Sequence, residues 1–207
     1  MRLIAKGSEA DVYLVTYHGC KAILKVRRRK QYRHPLLDNR RIVERTKNEV
    51  LNMIKAYENG LYVPLVLDFD IRQGKILMTF IDGIPLAEKL DIESIRKAGE
   101  ALARLHSLDI AHWDYTTLNV LRSNKNGRIY IIDFGLSKHT QNYREKAVDV
   151  HLMLRSLKSI HRDLEGKLIE SFWRGYSEYG DVDLMKQGVS EIESMGRYVR
   201  TRRKTIW

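Results

Sequence analysis

Three polar residues placed around one short apolar strand constrain the fold of this chain most strongly. The run Ile129–Ile132 predicts a buried strand, and Asp133 follows it directly. Asn119 lies 14 residues before Asp133, and Asp114 lies 19 residues before it. An aspartate at the end of a buried strand reaches the rim of a cleft, where it can hold a Mg²⁺ ion that bridges phosphates. The spacing predicts that the three groups meet at one site.

The first part of the chain predicts a β-rich lobe with one helix. Its apolar runs are short and are separated by glycine-containing turns, which is typical of hairpins. The predicted elements are strands at Asp11–Val15 and Lys21–Val26 around the turn His18-Gly19, a helix from about Asn39 to Glu58 ended by Asn59-Gly60, and strands at Val66–Phe69 and Lys75–Ile81 around the turn Gln73-Gly74.

The second part of the chain predicts a mainly helical lobe. Asp91 is a good N-cap for a helix to about Leu108, Asn126-Gly127 predicts a hairpin turn, and the chain from about Glu145 onwards has helical periodicity. The character changes near Asp82–Pro85. We therefore expect an α+β fold with a first lobe at residues 1–82, a minimal helical lobe at 83–196 and a basic tail at 197–207.

The first lobe offers candidates for binding phosphate. The loop Ala5–Val12 contains Gly7, and small residues in such a loop let the backbone approach a phosphate closely. Lys25 follows on the next predicted strand, and a carboxylate from the predicted helix should pair with it. Glu49 lies on the flank of the apolar stripe of that helix, whereas Glu44 lies nearly behind it, so we expect the ion pair at Glu49. The stripe consists of Ile42, Val50, Met53, Ile54 and Tyr57.

Three stretches of the chain resemble motifs of a known kinase family. They are Lys30–Asp38 (KQYRHPLLD), similar to the family's K-x-Y-R-H-P-x-L-D; Asp114–Asn119 (DYTTLN), similar to its D-L-T-T-x-N; and Asp133–Ser137 (DFGLS), followed by Lys146–Asp149. The chain resembles protein kinases in general, and more narrowly the small atypical kinase of the KEOPS complex. That family assists the partner enzyme that makes threonylcarbamoyladenosine in tRNA.

The resemblance implies a bilobal protein-kinase-like fold that binds ATP and Mg²⁺ between its lobes. Asp114 would orient a water or hydroxyl for attack on the γ-phosphate. Asn119 and Asp133 would bind Mg²⁺. Asp149 would brace the catalytic loop, which is residues 112–119. The residues expected to bind ATP are Gly7, Ser8, Glu9, Ala10, Lys25, Glu49, Met78, Thr79 and Ile81.

The catalytic loop departs from that of signalling kinases at several positions. Trp113 stands where signalling kinases have an arginine that binds the phosphorylated activation loop. The resembled family usually has glycine at this position. Because Asp114 and its neighbours are retained, we interpret this as an unregulated site rather than a dead one. Tyr115 stands where the family has leucine. Thr116 stands where many Ser/Thr kinases have a lysine that neutralises the transferred phosphate, so the resemblance implies hydrolysis with weak protein phosphorylation.

The net charge of +11 favours a polyanionic partner. One basic cluster is Lys25–Lys30, and the other ends the chain. In the resembled family such a tail is associated with tRNA, so the residues expected to bind tRNA are Arg197, Arg200, Arg202, Arg203 and Lys204. With Cys20 as the single cysteine and no apolar run of bilayer length, we expect a cytoplasmic protein without membrane contact.

A small-molecule phosphotransferase is one alternative, although the chain is short of residues for a substrate-binding insertion. Three further functions remain open on the sequence. The first is a Mg²⁺-ATP-dependent ATPase and weak Ser/Thr kinase that works with the threonylcarbamoyl-transferring enzyme and other KEOPS subunits. The second is a free-standing atypical kinase of the ribosome-biogenesis type. The third is a catalytically silent tRNA-binding adaptor, which the alanines in the phosphate loop and Trp113 would suit.

Overall fold

A five-stranded antiparallel sheet and one long helix form the first part of the chain. The computed structural model describes residues 1–7, 9–30, 34–160 and 164–204, without the side chains of residues 160 and 196–204. The elements are β1 (Arg2–Lys6), β2 (Ala10–Tyr17), β3 (Cys20–Arg27), α1 (Pro35–Glu58), β4 (Val66–Asp70) and β5 (Lys75–Thr79). The strands lie in the order β1-β2-β3-β5-β4, so β3 is the central strand.

The second part is mainly helical, with two small sheets at the junction of the lobes. Its elements are β6 (Gly83–Pro85), α2 (Ile92–Ser107), β7 (Ile110–Ala111), β8 (Val120–Ser123), β9 (Ile129–Ile131), β10 (Lys138–His139), α3 (Tyr143–Ile160), α4 (Glu165–Tyr176) and α5 (Val182–Lys204). Strands β6, β8 and β9 form one sheet, and β7 pairs with β10. Within the described ranges, no helix is both long enough and apolar enough to pass through a bilayer.

The predicted hairpins and helices are confirmed, with some shifted ends. Strands β2 and β3 pair antiparallel around His18-Gly19, and α2 is capped by Asp91, whose side chain accepts from the Ser94 N–H at 2.8 Å. Helix α1 begins at Pro35, earlier than predicted. Proline suits the first turn of a helix because its missing N–H would have no partner there.

The very short strands were not predicted. Strand β1 is exposed along its whole length, and β7 and β10 have two residues each. A fully exposed strand shows no alternation of apolar and polar residues, and two residues are too few to show any period. These strands form only because tertiary structure brings their partners alongside.

The buried face of α1 is rotated from the predicted apolar stripe. Tyr57, predicted to belong to that stripe, is 50% exposed. Polar residues take part in the buried face because they find partners inside the protein. Thr46 donates to the Ile42 carbonyl at 2.6 Å, and Asn52 donates to the Ser137 hydroxyl at 2.9 Å. Glu49, predicted at the flank of the stripe, is 1% exposed and belongs to this buried face.

Two glycines bring α2 and α4 into backbone contact. A Cβ atom on Gly99 would lie 2.1 Å from the Phe172 carbonyl oxygen, and one on Gly175 would lie 1.8 Å from the Arg96 carbonyl oxygen. Neither approach is possible for a larger residue without separating the helices. The close crossing fixes the position of α2, whose C-terminal end leads through β7 into the catalytic loop.

Candidate active site

Two adjoining cavities lie between the lobes and share Lys25 and Asp133 in their walls. The first has a volume of about 390 Å³. Its wall includes Gly7 and Ala10 of the phosphate loop and the charged side chains of Arg27 and Asp114. The second has a volume of about 330 Å³ and is more apolar, with Ile23, Met78, Thr79, Ile81 and Leu121 in its wall. A charged cavity beside an apolar one suits a ligand with a polyanionic end and an aromatic end.

Lys25 forms one ion pair within the first lobe and one that connects the two lobes. Its Nζ donates to Glu49 Oε1 at 2.6 Å and to Asp133 Oδ1 at 2.6 Å. Burial alone would lower the pKa of Lys25, but the carboxylates of Glu49 and Asp133 outweigh it and raise the pKa above its ordinary value. The predicted partner of Lys25 is therefore in place, and the lysine is held charged.

Arg27 takes the second oxygen of Glu49. Its Nη2 donates to Glu49 Oε2 at 2.5 Å and approaches the Gly135 carbonyl oxygen at 3.5 Å. Lys25 and Arg27 are both buried, with side chains 9% and 4% exposed. Both residues belong to the basic cluster that was predicted to meet a polyanion. Their charges face inward, Lys25 towards Glu49 and Asp133 and Arg27 towards Glu49.

The phosphate loop, residues 5–12, is closed by a backbone hydrogen bond. The Gly7 N–H donates to the Ala10 carbonyl at 2.9 Å, and a Cβ on Gly7 would lie 2.8 Å from that oxygen. Glu9 forms an ion pair with Arg45 of α1, and the Glu9 carbonyl accepts from the Arg28 N–H at 2.9 Å. The loop is thereby tied to α1 and β3. Ser8, expected to bind ATP, lies outside the described residues.

Asp114 and Asn119 form one hydrogen-bonded unit. Asn119 Nδ2 donates to Asp114 Oδ2 at 2.8 Å and to the Asp114 carbonyl at 2.9 Å. Both amide hydrogens of Asn119 are used in this way, which leaves its Oδ1 for another ligand. Burial raises the pKa of Asp114 above its ordinary value, and the hydrogen bond from Asn119 opposes that rise only in part. A raised pKa brings a carboxylate nearer to the value that suits a general base.

Asp133 has a strained backbone and a side chain that faces the cleft. Its φ is 60°, in the left-handed region, and its side chain is 49% exposed. Besides Lys25, its Oδ1 accepts from the Gly135 N–H at 3.1 Å. Burial would raise the pKa of Asp133, but Lys25 holds it below its ordinary value. The group is therefore an ionised carboxylate at neutral pH, which is the state that binds Mg²⁺.

Asp149, which the resemblance assigns to bracing the catalytic loop, lies beneath that loop. Its two carboxylate oxygens accept from the backbone N–H groups of His112 and Trp113, each at 2.6 Å. Trp113 has a φ of 64°, which is unusual for a side chain with a Cβ. His106 contributes a further contact to Asp149 at 3.2 Å, and burial lowers the pKa of this histidine. The two bonds to Asp149 help to hold this conformation.

Trp113 lies against the segment that follows Asp133-Phe134-Gly135. The Nζ of Lys138 is 4.3 Å from the centroid of the Trp113 ring, and Lys138 also forms an ion pair with Glu145 at the start of α3. His112 packs its ring against Phe134, with centroids 4.9 Å apart. Catalytic loop and following segment are thus in direct contact.

The remaining predicted residues divide between the second cavity and the chain terminus. Met78, Thr79 and Ile81 line the second cavity, although the Thr79 N–H is already bonded to the Leu65 carbonyl at 2.9 Å. Within the expected tail, the described backbone of residues 197–204 belongs to α5, which extends to Lys204. The side chains predicted to bind tRNA lie outside the described residues, namely those of Arg197, Arg200, Arg202, Arg203 and Lys204.

The roles of Arg27 and Lys138 were not predicted from the sequence. Arg27 lies two residues after Lys25 on β3, and side chains at this spacing point to the same face of a strand. That period could have revealed Arg27 as a second partner for Glu49. No comparable signal exists for Lys138, because its contact with Trp113 depends on the course of the loop.

A bilobal fold with a charged cleft at this place defines the protein-kinase class, and comparison with known proteins agrees. The model of the protein kinase domain matches residues 1–157. A "KEOPS complex subunit Bud32" of Pyrococcus abyssi is 32% identical, over 96% of each chain. The chain belongs to the protein kinase family and, within it, to the family of the KEOPS subunit Bud32.

Several relatives are longer than this chain. A "Probable bifunctional tRNA threonylcarbamoyladenosine biosynthesis protein" of Methanobrevibacter smithii is 37% identical over 95% of this chain, but this chain covers only 36% of that relative. The chain spans about a third of the length of the first curated relatives it matches.

Solved structures share the fold at low sequence identity. The Rio2 kinase of Chaetomium thermophilum, solved as an "ADP/Mg2+-phosphoaspartate complex", matches with a TM-score of 0.64 and 16% identity, over 99% of this chain and 72% of that one. WaaP in complex with acyl carrier protein matches with a TM-score of 0.65 and 12% identity, over 97% of this chain and 88% of that one. These likenesses show the fold alone.

Proposed function

We propose that this chain is a Mg²⁺-ATP-dependent ATPase and weak Ser/Thr kinase that supports the threonylcarbamoyladenosine modification of tRNA. The observation that carries the proposal is the position of Lys25, which bridges Glu49 and Asp133 in a cavity that Asp114 also lines. In the kinase class this arrangement serves phosphoryl transfer from ATP. The family membership supports the tRNA context.

The donor groups fit Mg²⁺ and ATP. Asp133 and the free Oδ1 of Asn119 supply the oxygen ligands that Mg²⁺ prefers, and when bound the ion would neutralise charge on the phosphates. Lys25 and the backbone of the phosphate loop around Gly7 would hold the phosphates. The apolar cavity beside Met78 would accept the adenine.

Asp114 would orient the attacking water or hydroxyl and accept its proton at the carboxylate. The bond from Asn119 fixes the direction of this carboxylate, and Asp149 fixes the loop that carries it. Thr116 stands where a lysine would neutralise a transferred phosphate, so transfer to a protein hydroxyl lacks that support. We therefore infer that hydrolysis is the main activity.

The partners follow from the longer relatives. These relatives are named as bifunctional proteins, and this chain matches about a third of their length. We infer that the rest of those relatives carries the threonylcarbamoyl-transferring activity, and that this chain meets such an enzyme, the other KEOPS subunits and tRNA in an assembly. Binding of tRNA through the basic residues after Gly196, and a cytoplasmic location where tRNA is found, belong to the same proposal.

The test is ATP hydrolysis by the full chain with Mg²⁺, measured alone, with tRNA, and with the partner enzyme plus tRNA. We expect turnover to rise with partner and tRNA and to vanish in Asp133→Ala, while Asp183→Ala on the exposed start of α5 keeps it. Turnover indifferent to partner and tRNA, with efficient transfer to protein hydroxyls, would favour a free-standing kinase. Binding of tRNA without hydrolysis under any condition would favour the adaptor.

A further inference from the structure

Glu49 is a buried carboxylate served by two cations on one strand. Lys25 binds its Oε1 at 2.6 Å, and Arg27 binds its Oε2 at 2.5 Å. Glu49 is 1% exposed, and a carboxylate so deeply buried needs paired charges to remain ionised. In protein kinases the lysine of this strand forms an ion pair with the glutamate of the helix. Here a second cation is available.

The four charged groups of the cluster balance one another. Lys25 and Arg27 are positive, and Glu49 and Asp133 are negative. Under the proposed function, however, Asp133 is needed for Mg²⁺ and Lys25 for phosphate. A lysine drawn towards phosphate neutralises Glu49 less well. Arg27 stays on Glu49, and its guanidinium does not lose its proton at any physiological pH.

Arg27 also reaches the turn that carries Asp133. Its Nη2 lies 3.5 Å from the Gly135 carbonyl oxygen, at the long end of hydrogen-bond distances. A Cβ atom on Gly135 would lie 2.9 Å from Asp133 Oδ1 and 3.2 Å from Lys25 Nζ, so glycine lets this turn lie close to both charged groups. One guanidinium therefore touches both α1 and the metal-binding turn.

We propose that Arg27 is a positioning residue for ATP hydrolysis: it holds Glu49 and the 133–135 turn in place so that Lys25 is free to bind phosphate. This inference rests on the proposed function. It goes beyond that function because it assigns to Arg27 a share in holding Glu49 and the turn that carries Asp133.

The test compares Arg27→Met, Arg27→Lys and Glu49→Gln with the double variant Arg27→Met/Glu49→Gln, by kcat, by KM for ATP and by the affinity for Mg²⁺-ADP. We expect Arg27→Met to lower kcat/KM about 10- to 100-fold, the loss of a charged hydrogen bond, and Arg27→Lys to recover part of it. We expect Arg27→Met to slow the Glu49→Gln variant by a smaller factor than it slows the wild type, because only the contact with the Gly135 carbonyl is then left to lose. Effects that multiply in full in the double variant would overturn the proposal.

Arg29→Met is the matched control. Arg29 lies two residues after Arg27, and its side chain is exposed. We expect kcat/KM to stay within about twofold of the wild type, since exposed charges contribute little. A purely structural role for Arg27 would lower the melting temperature of Arg27→Met but leave kcat/KM unchanged where the variant is folded, and would overturn the proposal.

The nucleotide-binding arm separates this inference from the proposed function. If the wild type binds Mg²⁺-ADP but hydrolyses no ATP, the ATPase proposal fails while Arg27→Met should still weaken binding. If Arg27→Met binds Mg²⁺-ADP as tightly as the wild type and turns over as fast, the role of Arg27 is refuted with the ATPase intact. If the wild type binds no nucleotide, both fail.

Discussion

Lys138 lies over the indole of Trp113, with its Nζ 4.3 Å from the ring centroid. The same ammonium forms an ion pair with Glu145 at the start of α3. In signalling kinases an arginine at the position of Trp113 binds a phosphate group on the activation loop. In this chain Lys138, from the segment after Gly135, supplies the cation, and Trp113 of the catalytic loop supplies the ring. The contact is therefore present without phosphorylation.

The left-handed backbone at Trp113 leads to a first prediction. Replacement by alanine keeps the unfavourable φ of 64° and loses the ring, whereas glycine loses the ring but relieves the backbone. We expect Trp113→Gly to be more stable than Trp113→Ala by about 0.5–1 kcal/mol, after allowance for the greater freedom of glycine in the unfolded chain. Urea denaturation of both variants measures the difference. An alanine variant of equal or higher stability would contradict the strain.

Removal of the proposed base gives a second prediction. Asp114→Asn keeps the size of the side chain but cannot accept a proton. We expect kcat to fall by about 10²- to 10⁴-fold, the usual contribution of a general base, with KM for ATP little changed. Steady-state hydrolysis measures both constants, and retained binding of Mg²⁺-ADP serves as the control for folding. A fall in affinity instead of kcat would assign Asp114 to binding.

The pH dependence of hydrolysis gives a third prediction. Asp114 must be ionised to act as a base, and burial raises its pKa above the ordinary value of an aspartate, about 3.9. Activity should therefore be full at neutral pH and fall as the pH drops through this raised pKa. Asp133, whose pKa is lowered, ionises at lower pH and does not set this limb.

The logarithm of kcat/KM plotted against pH tests this, with circular dichroism at each pH to show that the chain is still folded. In Asp114→Asn the acid limb should disappear from the residual activity. An unchanged limb in that variant would mean that another group produces it.

The crossing of α2 and α4 gives a fourth prediction. A methyl group on Gly175 would meet the Arg96 backbone at 1.8 Å, so Gly175→Ala must push the helices apart. We expect a loss of at least about 1–3 kcal/mol, the usual cost of overpacking. Gly166 lies in the same helix with nothing within 4 Å of its missing Cβ, so Gly166→Ala should be neutral or stabilising by up to about 1 kcal/mol. Equal effects of the two substitutions in urea denaturation would refute the close crossing.

The basic terminus gives a fifth prediction. If Arg200, Arg202 and Arg203 contact phosphates of tRNA, then changing all three to glutamine should weaken binding and flatten its salt dependence. We expect the slope of log K against log salt to fall in magnitude by about 2–3, close to one for each lost contact. Titrations with tRNA at several salt concentrations measure the slope.

The control removes three cations elsewhere. Arg72, Lys89 and Lys125 are exposed and far apart in sequence, so their change to glutamine lowers the net charge equally. If this control flattens the slope as much as the terminal variant does, binding follows overall charge and not the terminus.

Glycine turns explain why so much of the fold was predictable. The four turn signals taken from the sequence end in Gly19, Gly60, Gly74 and Gly127, and all four have positive φ between 65° and 79°. The backbone there requires glycine for reasons local to the turn, so a local pattern could reveal it. Asp91 at the start of α2 was predictable for the same reason, because a helix cap is also a local interaction.

The parts that escaped prediction depend on distant neighbours. The sequence pattern of α1 favoured Tyr57 for the core, but polar Asn52 is buried instead because its amide donates to the hydroxyl of Ser137, 85 residues away. Arg27 was predicted to be one more charge of a basic cluster, but it pairs with buried Glu49. Burial of polar groups depends on partners that are far away in sequence, and spacing alone does not supply them.

The two-residue ladder between β7 and β10 links the residues that lead into the catalytic loop with the segment behind Asp133-Phe134-Gly135. Its pairs are Lys138 with Ala111 and His139 with Ile110. The ladder holds the two segments side by side, so this part of the site takes its shape as the helical lobe folds.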